Sequence, residues 1–160
     1  MAERADIDLV LTRLASAPTR FAALLGKFEA ADAVASVTEA GGWSPAVTLA
    51  RVRAAQDILE PRILFVLVRD NPPLIGYEEA RWEEVMRYRT LPVSDSLQAM
   101  RIRRGELVRA LRALDLDDWD RPGTHEVRGP MTVLEIAQQI ADLEDDHLAQ
   151  IDRTGGSLDG

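Results

Sequence analysis

Two side chains break the apolar pattern of the segments in which they lie, and both are of a type that does chemistry. His147 lies on an apolar helical stripe, four residues after Leu143 and four before Ile151. An imidazole changes protonation near neutral pH and serves as a base or a metal ligand. A single histidine cannot hold zinc, which needs three or four ligands. The simpler interpretation is therefore a partly buried histidine with a structural hydrogen bond.

Arg51 is the second exception. At helical spacing it shares a face with Val47, Ala54 and Ile58, and this face is predicted to point into the protein. An isolated buried charge is very costly to desolvate, so a guanidinium in this place needs a partner. Two interpretations stay open: Arg51 extends its head to water at the end of the helix, or it clamps an anion or carboxylate in a pocket.

The other chemistry-bearing residues have structural interpretations. His125 is expected in a solvated loop, and the acidic run 142–146 is expected on a solvated helix face. The tryptophans are expected to anchor loops; they are Trp43, Trp82 and Trp119. The chain has no glycine-rich phosphate loop, nucleophile elbow or H-E-x-x-H motif.

Composition narrows the possible functions. The 160 residues match the size of one domain, with residues 1–153 predicted as that domain and 154–160 as a tail. The absence of cysteine removes thiolate chemistry and fits a reducing cytoplasm. The net charge of −8 argues against nucleic acid as a partner. The most apolar stretch, residues 63–68, is too short to cross a membrane, and the first ten residues lack the apolar run of a secretory signal.

Four long amphipathic segments organise the chain. Ser44-Pro45 is a strong start for a helix that ends near Val68, and Thr132 with Glu135 forms a capping box for the last helix. Ser94 is expected to cap the third long helix. Without a stretch of alternating apolar and polar residues, no strand is predicted. We therefore predict an all-α, antiparallel four-helix bundle with one short extra helix.

The predicted core and the short helix follow from the same spacing. Residues 78–89 are expected to form the short helix, with Trp82, Val85 and Met86 facing inward. Pro18 is expected to start a second helical piece or to kink the first helix. The core is expected to contain one apolar residue per turn of the long helices; these residues include Leu14, Ile58, Leu107, Leu111, Ile136 and Ile140.

Several short blocks of sequence together resemble one protein family. The N-terminal block is Gly42-Trp43-Ser44-Pro45, and the C-terminal blocks are 119–125, 129–133 and 147–151. In this order and spacing they resemble the DinB-like (YfiT-like) superfamily of bacterial four-helix bundles, over residues 7–151. The resemblance implies a zinc or nickel site with three histidine ligands, and a thiol-dependent transferase or metal-dependent hydrolase activity in the members whose activity is known.

The metal-ligand positions that the resemblance implies fall here on Arg51, Leu143 and His147. A leucine cannot ligate, and an arginine places a permanent cation beside the metal. No cofactor is therefore expected, with zinc or nickel present only if the site has been rebuilt, and His147 is a remnant ligand. The first hypothesis is a non-catalytic or divergent protein whose pocket binds a small molecule, such as an anion at Arg51 and His147, or does nothing beyond assembly. The alternative is a divergent transferase or hydrolase in which His147 is a general base and Arg51 orients an anionic substrate.

The resemblance also implies a homodimer. Because arginines are concentrated between Arg101 and Arg112 and acids from Asp115 onward, an interface that joins these two stretches should weaken as salt screens the charges. We expect light scattering to give a dimer mass at low salt and a lower mean mass at high salt. A monomer mass at low salt and at every usable concentration would contradict the prediction.

Overall fold

A computed structural model of the chain describes residues 1–28 and 44–156. Its helices are α1 (Arg4–Leu25), α2 (Pro45–Val68), the short α3 (Glu79–Met86), α4 (Val93–Arg112) and α5 (Val133–Gly156). Its strands are β1 (Pro73–Leu74), β2 (Pro122–His125) and β3 (Gly129–Thr132), with 3₁₀ turns at Tyr88–Thr90 and Leu116–Asp120. Trp43 and most of the predicted tail lie outside the described residues. None of the described helices is both long and apolar enough to cross a membrane.

Local sequence signals account for two of the three helix starts that were predicted from capping residues. Ser44 Oγ accepts from the Val47 N–H at 3.3 Å, which confirms the cap of α2. The Thr132 and Glu135 side chains each accept from the other residue's N–H, at 3.2 and 2.7 Å, which confirms the capping box of α5. The predicted cap at Ser94 is wrong. The helix begins one residue earlier, at Val93, so Ser94 already lies in the first turn, and no side chain caps α4.

The four long helices pack as a bundle with two helices running in each direction. α1 and α5 run one way, and α2 and α4 run the other way, as side-chain contacts at successive levels show. Each helix packs against two others, α1 and α2 both against α4 and α5. Of the core residues predicted above, Ile58 is half-buried and the others are buried. The all-α four-helix bundle with one short extra helix is confirmed.

The prediction that the chain has no strands is wrong in detail. A small sheet has the strand order β1-β2-β3, with β1 parallel to β2 and β2 antiparallel to β3. Strands of two to four residues are too short to show an alternating pattern, so periodicity could not reveal them. Gly123 allows β2 to lie against α2, because a Cβ atom there would be 2.9 Å from Val66 Cγ2.

The short helix α3 turns the opposite face inward from the one predicted. Trp82, Val85 and Met86 are 37%, 66% and 46% exposed, whereas Glu83 is 1% exposed. Glu83 accepts from Arg89 Nε at 2.6 Å, so its buried carboxylate has an ion-pair partner. Trp82 donates from Nε1 to Asp57 on α2 at 2.9 Å. These polar contacts, which the apolar spacing does not encode, set the orientation of the helix.

A buried ionic cluster lies at the centre of the bundle. Arg104, 1% exposed, donates to Glu60 at 2.9 Å and to Glu144, and so joins α4 to α2 and α5. It also donates to the Leu14 carbonyl of α1 at 3.0 Å. Glu144 is thus buried, and its predicted place on a solvated acidic face is wrong. The other acids of that run do face outward, and Asp142 and Asp145 pair with Arg13.

Pro18 explains why a carbonyl of α1 is free to accept from Arg104. The proline lies inside α1, which continues through it as one helix instead of the two pieces considered above. Because proline has no N–H, the carbonyl four residues before it, that of Leu14, lacks its helical donor. Arg104 supplies a donor, which satisfies this buried carbonyl. Proline and arginine, far apart in sequence, therefore form one structural unit.

Burial and pairing shift the protonation equilibria in this cluster. Burial raises the pKa of Glu60, and Arg104 offsets part of that increase. Burial alone would lower the pKa of Arg104, but hydrogen bonds and charges from Glu144 and Glu60 raise it. Since the folded-state pKa of Glu60 lies above its unfolded value, its contribution to stability is fully present at low pH and is lost as the pH rises through the folded-state pKa.

We expect Arg104→Met to lower the free energy of unfolding by about 3–5 kcal/mol, because it leaves two buried carboxylates unpaired. The loss should shrink as the pH falls and Glu60 protonates, because a neutral carboxyl group no longer needs the guanidinium. Urea unfolding across this pH range measures both effects.

The triple variant Arg104→Met, Glu60→Leu and Glu144→Leu is the matched control. It should recover most of the lost stability, because apolar residues of similar volume replace buried ions at little or no cost. A loss in the single variant that is pH-independent and persists in the triple variant would show that packing, rather than unpaired charge, is responsible.

Candidate functional site

His147 is held in one tautomer on α5. Its Nδ1 lies 2.7 Å from the carbonyl oxygen of Leu143, one turn earlier on the helix. A carbonyl only accepts, so Nδ1 carries a proton, and in the neutral form of the imidazole Nε2 then has the lone pair. The residue is half-buried and lines a groove. Nε2 is therefore the atom that can accept a proton or bind a ligand.

The packing of α2 against α5 places Arg51 at the level of His147. Gln56 Nε2 donates to Glu144 at 2.9 Å, and α2 and α5 run in opposite directions. One turn further along this pair of helices, Val52 and Leu148 share an apolar cluster. Arg51 precedes Val52 and His147 precedes Leu148, so helix geometry turns both to the same side of the seam. Both are half-buried.

The groove beside His147, here called the His147 groove, has a volume of about 690 Å³. Its walls come from β3 and from the outward face of α5, including Leu143 and Gln139. Its charged lining consists of Glu135, Asp142, Asp146 and Arg128. Asp142 is neutralised by Arg13 at 2.6 Å. The groove therefore carries a modest excess of negative charge.

A larger cleft, the Arg62 cleft, continues from this groove. Its volume is about 1180 Å³, and it lies between α3, the β2–β3 turn and the helices α2 and α5. Arg128 and Gln139 line both cavities, so the two are adjacent; together they are here called the trough. Tyr77 and Trp82 supply aromatic surface, and Val85 and Met86 supply aliphatic surface. The outward face of α3, unexpected from the sequence, is thus one wall of this cleft.

Arg62 is the most deeply buried cation of this cleft. Only 6% of its surface is exposed. It donates to the Ile75 carbonyl, and its guanidinium carbon lies 5.5 Å from the centre of the Tyr77 ring. Among the ion pairs of the described residues, none involves Arg62. Burial lowers the pKa of Arg62, as expected for a cation that lacks a close carboxylate.

The cleft also contains acceptor oxygens without partners. Glu79 Oε1 and Gln139 Oε1 are buried and receive no hydrogen bond. The pKa of Tyr77 is raised to about 12, first by burial and then by the charge of the Glu79 carboxylate. Tyr77 is therefore a neutral hydrogen-bond donor at ordinary pH. The cleft thus offers a cation at one position and unsatisfied acceptors at others.

His125, predicted in a solvated loop, lies at the end of β2 and is half-buried. Its Nδ1 accepts from the N–H groups of Val127 and Arg128, at 3.1 and 3.2 Å, and so shapes the β2–β3 turn. Burial, and then the charges of Arg62 and Arg128, lower its pKa. A structural role in this turn replaces the predicted solvated one.

Sequence analysis singled out His147 and Arg51 but missed Arg62, Arg104 and the two partners of Arg104. A signal for the arginines was present. Arg104 lies on the apolar stripe that includes Met100 and Leu107, and Arg62 lies on the stripe of Leu59 and Val66. The rule that identified Arg51, a charge at core spacing, applies to both.

The residues at the implied metal-ligand positions do not fit a three-ligand metal site. Arg51 is cationic, Leu143 has no donor atom, and only His147 can ligate. In residues 1–28 and 44–156, no three histidine, aspartate or glutamate side chains come together as candidate ligands. A site built on His147 would have to recruit carboxylates from the groove, such as Asp142 or Asp146.

We expect the purified protein to contain much less than one zinc or nickel ion per chain, because two of the three implied positions cannot ligate. Elemental analysis after exchange into metal-free buffer measures this. About one ion per chain in the wild type, lost in His147→Ala and kept in Gln138→Ala, would contradict the prediction and indicate a rebuilt site.

Comparisons with known proteins agree with this arrangement of helices. The family model of the DinB superfamily matches residues 12–151. YfiT from Bacillus subtilis, described as a probable metal-dependent hydrolase with an unusual four-helix bundle topology, is 16% identical with a TM-score of 0.88; the match covers 99% of this chain and 90% of YfiT.

A second solved structure is that of a mycothiol-dependent maleylpyruvate isomerase, 18% identical with a TM-score of 0.68. The match covers 94% of this chain but only 63% of the isomerase. Identities this low show a shared fold only. No curated protein sequence matches the chain. Because the family model spans most of its length, the chain belongs to the DinB superfamily.

Proposed function

We propose that this chain is a small-molecule-binding member of the DinB superfamily, with its ligand site in the trough formed by the Arg62 cleft and the His147 groove. The observation that carries the proposal is the shared wall: Arg128 and Gln139 line both cavities. The larger cavity alone exceeds the several hundred Å³ typical of a ligand pocket.

The α5 wall of the trough supports a binding role. Gln139, Leu143 and His147 follow one another at intervals of one helical turn and face the same cavity. They present in turn a carboxamide, an apolar side chain and an imidazole Nε2. A few placed polar groups within apolar surroundings are typical of small-molecule sites. This wall favours recognition of a ligand over ligation of a metal.

We also propose that Arg51 and His147 bind a small anion beside the His147 groove, whose lining residues do not include Arg51. Arg51 is a permanent cation at the level of His147, on the same side of the α2–α5 seam, as the register of the two helices implies. The carboxylates of the His147 groove oppose an anion there. An oxyanion that can accept two hydrogen bonds from the planar guanidinium of Arg51 is therefore favoured over halide.

We expect sulfate or phosphate to raise the melting temperature of the wild type by mass action and to raise that of Arg51→Ala much less. Differential scanning calorimetry at constant ionic strength, with sodium chloride as the reference salt, measures the effect. Arg101→Ala, which removes an exposed arginine of α4, is the matched control and should respond as the wild type does. An equal response in all three proteins would exclude Arg51 as the anion site.

The second candidate function is a divergent transferase or hydrolase with His147 as the general base. The hydrogen bond from Nδ1 to Leu143 favours it, because that bond leaves Nε2 ready to take a proton. Arg51 would orient an anionic substrate. Turnover of a thiol-dependent or hydrolysable test substrate that disappears in His147→Ala would support this function, and binding without turnover would exclude it for that substrate.

A homodimer also stays a proposal, with one change to the expected interface. Arg103 and Arg104 pair with acids of their own chain, so they are not free to bind a second subunit. An exposed apolar stripe on α2 is an additional surface for a second copy: Leu64, Phe65 and Val68 are 47%, 53% and 76% exposed. If this stripe dominates, the dimer will resist salt in light scattering.

A further inference from the structure

We propose that the ligand of the Arg62 cleft is an organic carboxylate with a hydrophobic body and that Arg62 is its anchor. This inference rests on the small-molecule-binding function proposed above and names the chemical class of the ligand. It concerns a position that the implied metal site does not include, since Arg62 lies on α2 three turns beyond Arg51.

The burial and charge of Arg62 carry the inference. An arginine that is 6% exposed normally has a carboxylate partner, because an uncompensated buried charge is costly. Arg104 in this same chain has two such partners. Arg62 has a backbone carbonyl and the face of Tyr77, neither of which carries a negative charge. An anion from solution would complete its coordination.

The surroundings of Arg62 favour an anion at this corner of the cleft. Arg128 and His125 also line this part of the cleft. The charge of Arg128 lowers the pKa of both Arg62 and His125, as expected of a nearby cation. Glu126 compensates part of the guanidinium charge, since its charge raises the pKa of Arg62, while its Oε1 accepts from the Gly76 N–H at 2.8 Å. A Cβ atom on residue 76 would clash with this oxygen, and the Glu126 side chain would have to move.

The rest of the cleft fits a hydrophobic body. Trp82, Val85 and Met86 are exposed and face this cavity. The hydrogen bond from Trp82 Nε1 to Asp57 orients the indole, which forms an aromatic wall of the cleft. Glu79 Oε1 and Gln139 Oε1 are acceptors without donors. They favour carboxylates that also carry an N–H or O–H group.

The experiment compares three probes that share one body and differ in their charged end. They are 3-phenylpropanoate, 3-phenylpropan-1-ol and 3-phenylpropan-1-amine, each titrated calorimetrically into the intact protein. The carboxylate should bind at least about tenfold more tightly than the alcohol, since a charge-assisted hydrogen bond is worth about that factor or more. Binding should also change tryptophan emission, because Trp82 lines the cleft.

Two variants assign the effect to Arg62. Arg62→Met should weaken carboxylate binding by at least about tenfold while leaving the alcohol within about twofold. Arg101→Met is the matched control, because Arg101 is an exposed arginine of α4 that does not line the cleft. It should leave both affinities nearly unchanged. Arg62→Lys, which keeps the charge without the planar fork, should fall between the wild type and Arg62→Met.

Each contrary result overturns a distinct statement. If the amine or the alcohol binds the wild type as tightly as the carboxylate does, the ligand class is wrong, whatever the variants do. If Arg62→Met weakens all probes equally, Arg62 is structural and the anchor is wrong. If carboxylate binding survives in Arg62→Met but fails in Arg51→Ala, the proposed binding function stands and this inference fails. If no probe binds, this inference fails, and the response of the melting temperature to sulfate or phosphate decides the proposed binding function separately.

Discussion

The contacts of Arg104 hold the bundle together at one level. Its guanidinium reaches α1 through the Leu14 carbonyl, α2 through Glu60 and α5 through Glu144, while its own backbone belongs to α4. Apolar packing between helices tolerates small shifts along the helix axes, whereas hydrogen bonds to a planar fork do not. The four helices are therefore fixed relative to one another at this point. Pro18 belongs to the same constraint, since it frees the Leu14 carbonyl.

The position of the candidate site follows from this constraint. Glu144 accepts from both Arg104 and Gln56, so the register of α2 against α5 is fixed beside the buried cluster. One turn along α5 from Glu144 lie Leu148 and, next to it, His147, while the equivalent step along α2 leads to Arg51. A shift of one residue between these helices would move Arg51 by about 1.5 Å relative to His147. The structural cluster thus sets the relative level of the neighbouring candidate residues.

The helices could be predicted because their signals are local, whereas the partners of buried charges could not. The start of α2 follows from Ser44 and Pro45, and its end near Val68 follows from the prolines beyond it. The burial of Glu144 depends on Arg104, 40 residues away, which no local pattern reveals. For α3, eight residues give too little apolar spacing to choose between two faces, and the partners of Glu83 and Trp82 decide. A charged residue on an apolar stripe is the sequence signal that identified Arg51. Arg62 and Arg104 show the same signal but were not predicted from it.

Two buried arginines in one small bundle have different physical roles because their partners differ. Arg104 lies between two carboxylates and a carbonyl, so its positive charge is balanced within the fold. Arg62 has comparable burial, one carbonyl and an aromatic ring, and among the described residues it has no direct ion pair, with Glu126 acting on it only through its charge. A fold selected only for stability would pair this guanidinium or replace it with an apolar side chain. A buried charge without an ion-pair partner, next to a cavity with an aromatic wall, costs folding free energy. Such a charge is expected where it contributes to the binding free energy of a ligand.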